Sequence, residues 1–194
     1  ATGTGAALSM RAGELGRPGI VTLEGGTAVA AKTAICLGDS TVAGHFILNT
    51  TQNQLDAYWI VRPRTTIASA DLEVITLGFG HEWTLTGDLL NGVYVRFAPA
   101  TDTFWTLVCA NGGVRSTSPG TTVPALNTWA KLGIRITYPA GVPTAQLLVD
   151  GGVQGSAITT NFPAAAVGFG CKIDGNGGTE SLLDVDATSV LQAA

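Results

Sequence analysis

The clearest alternation of apolar and polar positions runs from residue 103 to residue 138. Phe104, Thr106 and Val108 interleave with Trp105, Leu107 and Cys109, the two-sided pattern of a strand whose successive side chains point to opposite faces. Asn111-Gly112-Gly113 follows, residues that tolerate the positive φ of a tight hairpin turn. Beyond a Pro/Gly/Thr-rich passage, Trp129, Lys131, Gly133 and Arg135 alternate with Ala130, Leu132, Ile134 and Ile136. That predicts a strand with one apolar and one mixed face, anchored in the core by Trp129 on one side and Leu132 on the other.

The same reading places strands near 56–61, 72–79, 92–97, 104–110, 129–137, 145–149, 167–173 and 181–187. Asp150-Gly151-Gly152-Val153-Gln154-Gly155 is a second hairpin signal. Upstream, short β-prone runs at 20–23, 27–30, 33–37 and 45–48 are punctuated by Glu24-Gly25-Gly26 and Gly38-Asp39-Ser40. No segment has a helical period, although residues 87–90 could form one turn. Many short strands between Gly and Pro turns predict an all-β protein, an antiparallel two-sheet jelly-roll sandwich. The polar run 49–54 is the expected boundary between a β-rich N-terminal anchoring segment, residues 1–54, and the jelly roll, residues 55–194. Residues 1–16, rich in Ala, Gly and Thr, read as an arm that is mobile or ordered by a partner.

Composition sharpens this. The 194 residues are 45% hydrophobic and only 12% charged, with 26 glycines. This is poor helix material, and the low charge hints at surface covered by other chains. A net charge of −4, with Arg62-Pro63-Arg64 as the one tight cationic pair, gives nucleic-acid binding no support. No apolar run is long enough for a membrane helix, and the N-terminus lacks the pattern of a secretory signal. Cys36, Cys109 and Cys171, odd in number and far apart, read as free thiols acting as small buried hydrophobes in strands.

Several runs together resemble a known module. They are Asn91-Gly92-Val93-Tyr94, Trp105 with 109–117, Thr128-Trp129-Ala130-Lys131-Leu132, Leu148-Val149-Asp150-Gly151, Thr159-Thr160-Asn161-Phe162-Pro163 and Leu183-Asp184-Val185-Asp186. In this order, over roughly 55–190, they resemble the concanavalin A-like (lectin/glucanase, laminin-G-like) jelly roll of bacteriophage virion proteins. Ala130 and Ala187 stand where that module usually has aromatics, which removes stacking surface for sugars. Residues 1–54 match no such pattern, and fold likeness does not by itself carry function.

Three groups of residues could carry chemistry. Glu180, Asp184 and Asp186 would share one strand face as paired carboxylates for glycoside hydrolysis, but the Glu-x-Asp-x-x-Glu pattern of glucanases with this fold is absent. Asp174, Asn176, Asp184 and Asp186 are oxygen donors for a Ca²⁺ site, with an ordinary Asx/Gly turn as the simpler account of 174–178. Trp83, Tyr94 and Trp105 are the candidates for stacking on a glycan, although aromatics also dominate sandwich cores. His45 and His81 lack a nucleophile on a strained Gly-x-Ser-x-Gly turn.

The expectation is therefore a non-enzymatic phage virion structural protein on the exterior of the particle. It would be a capsid decoration (cement) protein or a fibre or tail accessory protein, attached to other virion subunits through residues 1–54. The resemblance implies homo-oligomers, trimers among them. The alternative is a carbohydrate-binding adhesin that recognises a host surface glycan.

Overall fold

Thirteen strands and one 3₁₀ turn account for the regular structure of the computed structural model, which describes residues 6–11, 14, 17, 19–26, 29–37, 46–49, 54–64, 74–81, 83, 87–176 and 181–192. The strands are β1 (Ala6–Arg11), β2 (Ile20–Gly25), β3 (Val29–Leu37), β4 (Leu55–Pro63), β5 (Val74–Gly80), β6 (Gly92–Phe97), β7 (Thr106–Asn111), β8 (Val114–Pro119), β9 (Ala130–Thr137), β10 (Thr144–Val149), β11 (Gly152–Ile158), β12 (Gly168–Asn176) and β13 (Leu182–Gln192). They form two antiparallel sheets. The seven-stranded sheet has the order β1-β2-β13-β4-β9-β10-β11, and the six-stranded sheet the order β3-β12-β5-β6-β7-β8. This is the jelly-roll sandwich expected from the sequence.

The core lies between the sheets and is built from alternate residues, as the pleat requires. Ala57, Trp59 and Val61 of β4 and Leu132, Ile134 and Ile136 of β9 face Leu77 and Phe79 of β5, Val93 and Val95 of β6 and Leu107 and Cys109 of β7. Trp59 stacks on Phe169 with ring centroids 4.7 Å apart, and Phe79 meets Phe169 at 5.6 Å and Phe46 at 5.0 Å. Burying each such large side chain stabilises the fold by roughly 1.5–3 kcal/mol before its ordering entropy is counted. Both predicted hairpins close where positive φ is available: Gly112 and Gly113 at 57° and 83°, Asp150 and Gly151 at 50° and 86°. Each turn brings a strand that alternation alone did not reveal, β8 and β11. Their burial patterns show why, since most of their positions are exposed.

Several expectations are corrected. Residues 20–37 do not form a separate anchoring module before a boundary at 54. β2 pairs with β13, and β3 pairs with β12, so the N-terminal strands complete both sheets. Ile20, Leu23, Ala31 and Leu48 are buried. Ala6–Arg11 within the expected arm is a strand on the edge of β2, where main-chain pairing supplies the order that its few apolar side chains cannot. The runs at 27–30 and 33–37 belong to one strand, β3, as far as its described residues run. Among the described residues of 45–48 there is only an isolated bridge from Phe46 to Val167, and residues 87–90 form bends rather than a helical turn. Leu132 is in the core as expected, but Trp129 is not. It precedes β9 and lies half-exposed between two guanidiniums, Arg17 at 4.3 Å and Arg62 at 4.5 Å from its ring centroid.

Candidate functional site

The outward-pointing residues of a two-sheet sandwich are free for other work, and the two outer faces here differ. On the six-stranded sheet, the outward positions of β6 and β7 carry Tyr94, Val108 and Ala110, which gather with Trp83 and Leu89 into a second apolar cluster. Trp83 and Leu89 come from the β5–β6 connection, whose described residues therefore lie over this face as a strap. A Cβ at Gly80 would collide with Leu89, so the bare glycine backbone is what lets the strap approach. Beneath it, Lys172 is 0% exposed and donates to the Gly87 carbonyl and, at 2.9 Å, to Asp174 Oδ2, which also accepts from the Gly87 N–H at 2.9 Å. Burial pushes the Lys172 pKa down and the Asp174 pKa up, with the attraction between the two opposing both shifts.

Next to the strap, β6, β7 and β8 and the 98–105 connection enclose a groove of ≈ 330 Å³ lined by Arg96, Thr101, Asp102, Thr103, Phe104, Thr106, Thr117 and Pro119. Its floor is fixed. Arg96 holds Asp102 in a two-pronged pair, Nε to Oδ2 and Nη2 to Oδ1, both at 2.8 Å, and its Nη1 donates to Asp88 of the strap at 2.6 Å. The Ala98 N–H also donates to Asp102, at 3.0 Å. Burial opposes the guanidinium charge, but Asp102 and Asp88 outweigh it and raise the Arg96 pKa. Thr101, Thr103 and Thr117 are exposed and Phe104 is half-buried at the wall. The groove thus offers hydroxyls, an oriented Arg–Asp pair and an aromatic ring.

The predicted stacking residues are not in this groove. Trp83, Tyr94 and Trp105 are 1%, 0% and 1% exposed, so none presents a face to a sugar. Trp105 belongs to the core, edge-on to Phe97 at 5.7 Å. Trp83 is carried by the strap and packs with Tyr94 beneath it, where burial first, and then the Asp88 charge, raises the Tyr94 pKa. The accessible ring is Phe104, one position from Trp105 and therefore on the opposite face. Strand alternation separates the two, and Arg96 likewise stands outward between inward Val95 and Phe97. Neither Phe104, Arg96 nor Asp102 figures among the sequence candidates, because the closing of this groove depends on the 98–105 connection.

The predicted acidic sets do not converge either. Asp184 is buried on the outer face of the seven-stranded sheet, accepting from Thr22 Oγ1 at 2.6 Å and from Arg62 Nη2 at 2.6 Å. A bulge between Val185 and Ala187 breaks the alternation at Asp186, which pairs with Arg17 at 2.7 Å. Asp174 belongs to the other sheet, so Asp174, Asp184 and Asp186 cannot share an ion, and Asn176 follows Asp174 on β12. Among the described residues no three acidic, histidine or cysteine side chains are placed to hold a metal. Glu180 and His45 lie outside the described residues. Of the thiols, Cys109 and Cys171 are buried and Cys36 is half-buried, with burial pushing Cys171 up to about 12.

No protein-family model and no curated protein matches the sequence. The architecture, by contrast, is shared with solved structures. The carbohydrate recognition domain of Emp47p superposes with a TM-score of 0.64 over 99% of this chain and 88% of its own, at 12% identity. The exoplasmic/lumenal domain of VIP36, in its Ca²⁺/Man-bound form, gives 0.56 over 89% and 78%, at 11% identity. A family 7 alginate lyase, A1-II′, in complex with its product, gives 0.56 over 90% and 80%, at 13% identity. The chain has the concanavalin A-like jelly-roll fold, and at these identities the likeness is one of fold.

Proposed function

We propose that this chain is a carbohydrate-binding module that reads a glycan in the groove of Arg96, Asp102, Phe104 and the surrounding threonines. The observation that carries the reading is the half-buried Phe104 ring set beside a rigid Arg96–Asp102 pair and exposed hydroxyls. A sugar presents an apolar C–H face and a rim of hydroxyls, and it is held by an aromatic surface with a few fixed polar groups. The jelly-roll frame shared with a carbohydrate recognition domain and with a domain solved in a Ca²⁺/Man-bound form supports the same reading. It is favoured over attachment through residues 1–54, because those residues contribute β1–β3 to the sheets.

The module binds without turning over its ligand. Both Asp102 oxygens are taken by Arg96 and the Ala98 N–H, and Asp184 and Asp186 are held in ion pairs, so none of these carboxylates is poised as a general acid or base. We place it, as the sequence resemblance implies, on the exterior of a phage particle, and counting copies on purified particles tests that placement. Glycan-array binding followed by calorimetry tests the function: Phe104→Ala should weaken binding by about tenfold while leaving the fold intact. Saturable binding unchanged by Phe104→Ala would move the site elsewhere, and reducing-sugar release or lyase activity would make the chain an enzyme.

A further inference from the structure

Among the described residues, the seven-stranded sheet is open along part of β13. β2 pairs with β13 only from Leu182 to Val185, whereas β4 pairs with β13 from Leu183 to Gln192. Beyond the bulge at Asp186, the second edge of β13 has no strand beside it among the described residues. At the same level the opposite sheet ends in Leu37 of β3, which pairs with Phe169 and is 64% exposed. A cleft of ≈ 260 Å³ opens there between the sheets, lined by Val21, Leu37, Trp59, Phe169, Val185 and Thr188 among others.

We propose that residues 187–192 of β13 are a docking edge for an extended, uncharged peptide segment of a partner protein, which adds as a strand in line with β2 and sets an apolar side chain into the cleft. The chemistry of the edge selects this occupant. Alternate N–H and C=O groups along an open strand are matched by another extended backbone, and the adjoining pocket supplies side-chain selectivity. Ala187-Thr188-Ser189-Val190-Leu191-Gln192 carries no charge and no proline, two of the devices by which sheet edges repel a strand, and it lies beyond the one bulge of β13. The cleft is apolar between Leu37, Val21 and Val185, with Thr188, exposed and opposite Trp59, at its mouth. Asp186, which also lines the cleft, is already paired with Arg17 at 2.7 Å, so a charged segment would lose solvation there without gaining an unpaired partner.

The test uses the full chain and a fluorescein-labelled peptide of alternating Val and Thr with one central Phe, read by anisotropy, with amide hydrogen exchange to locate it. Binding is expected with protection concentrated at 187–192. Leu37→Asp and Thr188→Lys alter exposed residues, so the fold should persist, and each should weaken binding by about tenfold or more. N-methylation of alternate peptide amides should abolish binding, since it removes the main-chain donors. No binding, or binding that both variants leave unchanged, would overturn the proposal. So would protection outside 187–192. Sedimentation showing a dimer that Thr188→Lys dissociates would also overturn it, by making a second copy of the chain the occupant.

Discussion

The two outer faces of the sandwich solve the same problem in opposite ways. On the six-stranded sheet an apolar patch of outward side chains, Tyr94, Val108 and Ala110, is covered by the strap carrying Trp83 and Leu89, which seals the Lys172–Asp174 pair inside. On the seven-stranded sheet charged pairs stand outward, with only Asp184 among them fully buried: Asp56 with Arg135, Glu14 and Asp184 with Arg62, and Asp186 with Arg17. Alternation along a strand separates inside from outside, but it does not say what meets the outside. The composition of the outward set does. Tyr94, Val108 and Ala110 require a cover, whereas Asp56, Arg62 and Arg135 do not. The groove proposed to bind glycan lies at the border of the covered region, where the strap ends and Arg96 joins its Asp88 to the groove's Asp102.

The largest test breaks both faces at once. Removing residues 1–54 deletes β1 and β2 from one sheet and β3 from the other, together with buried Leu23 and Leu48. The remainder should not fold, and circular dichroism with urea titration should show no cooperative transition; a cooperative one would restore the N-terminal segment as a separable module. Next is the covered face alone. Lys172→Ala leaves Asp174 buried without its cation, at a cost of about 3–5 kcal/mol, and Trp83→Ala, by emptying the strap's contact, should cost a similar ~3–5 kcal/mol. Replacing the pair together, Lys172→Met with Asp174→Leu, should recover most of the loss, because an apolar pair needs no compensation for lost hydration. Urea midpoints of the three variants check this, and a double variant as unstable as Lys172→Ala would show that the strap depends on the charges themselves.

The sandwich was legible because its core strands carry strong period-two patterns. The expected strands at 92–97 and 129–137 match β6 and β9 nearly end to end. β8 and β11 escaped because they lie mostly in water and show no apolar alternation, although Asn111-Gly112-Gly113 and Asp150-Gly151 announced the turns that create them. The candidate site was barely legible. Trp105 drew attention as a large aromatic, but its parity with Leu107 and Cys109 had already placed it inside, and the same parity put Phe104 outside. Arg96 and Asp102, six residues apart across a connection, meet only once that connection folds back. Asp174 and Asp184 looked alike in sequence, and only strand order assigns them to opposite sheets.

On the exposed face the expected effects are smaller. Trp129→Ala removes two cation–π contacts from a half-exposed ring rather than a core anchor, so it should cost about 1 kcal/mol. A urea midpoint lowered as far as that of Trp83→Ala would return Trp129 to the core.

The smallest effect belongs to Asp56. Its partial burial favours the neutral acid, but hydrogen bonds at 2.9 Å from Arg135 Nε and Nη2, with that guanidinium's charge, outweigh it and hold the Asp56 carboxyl below its ordinary 3.8. A carboxylate with a depressed folded pKa adds stability that is present above its unfolded value and fades as pH falls through the folded one. Water screens this pair, so its whole contribution is at most about 1 kcal/mol. Asp56→Asn should therefore lower the urea midpoint slightly at neutral pH. The gap from the parent chain should close as the medium is acidified below pH 3.8. High salt at neutral pH should narrow the gap too, since screening weakens exposed pairs. Lys172→Ala, by contrast, should stay equally damaging in high salt because its pair is sealed beneath the strap. Equal salt sensitivity of the two variants would mean that the strap does not exclude solvent, and the contrast between the faces would fail.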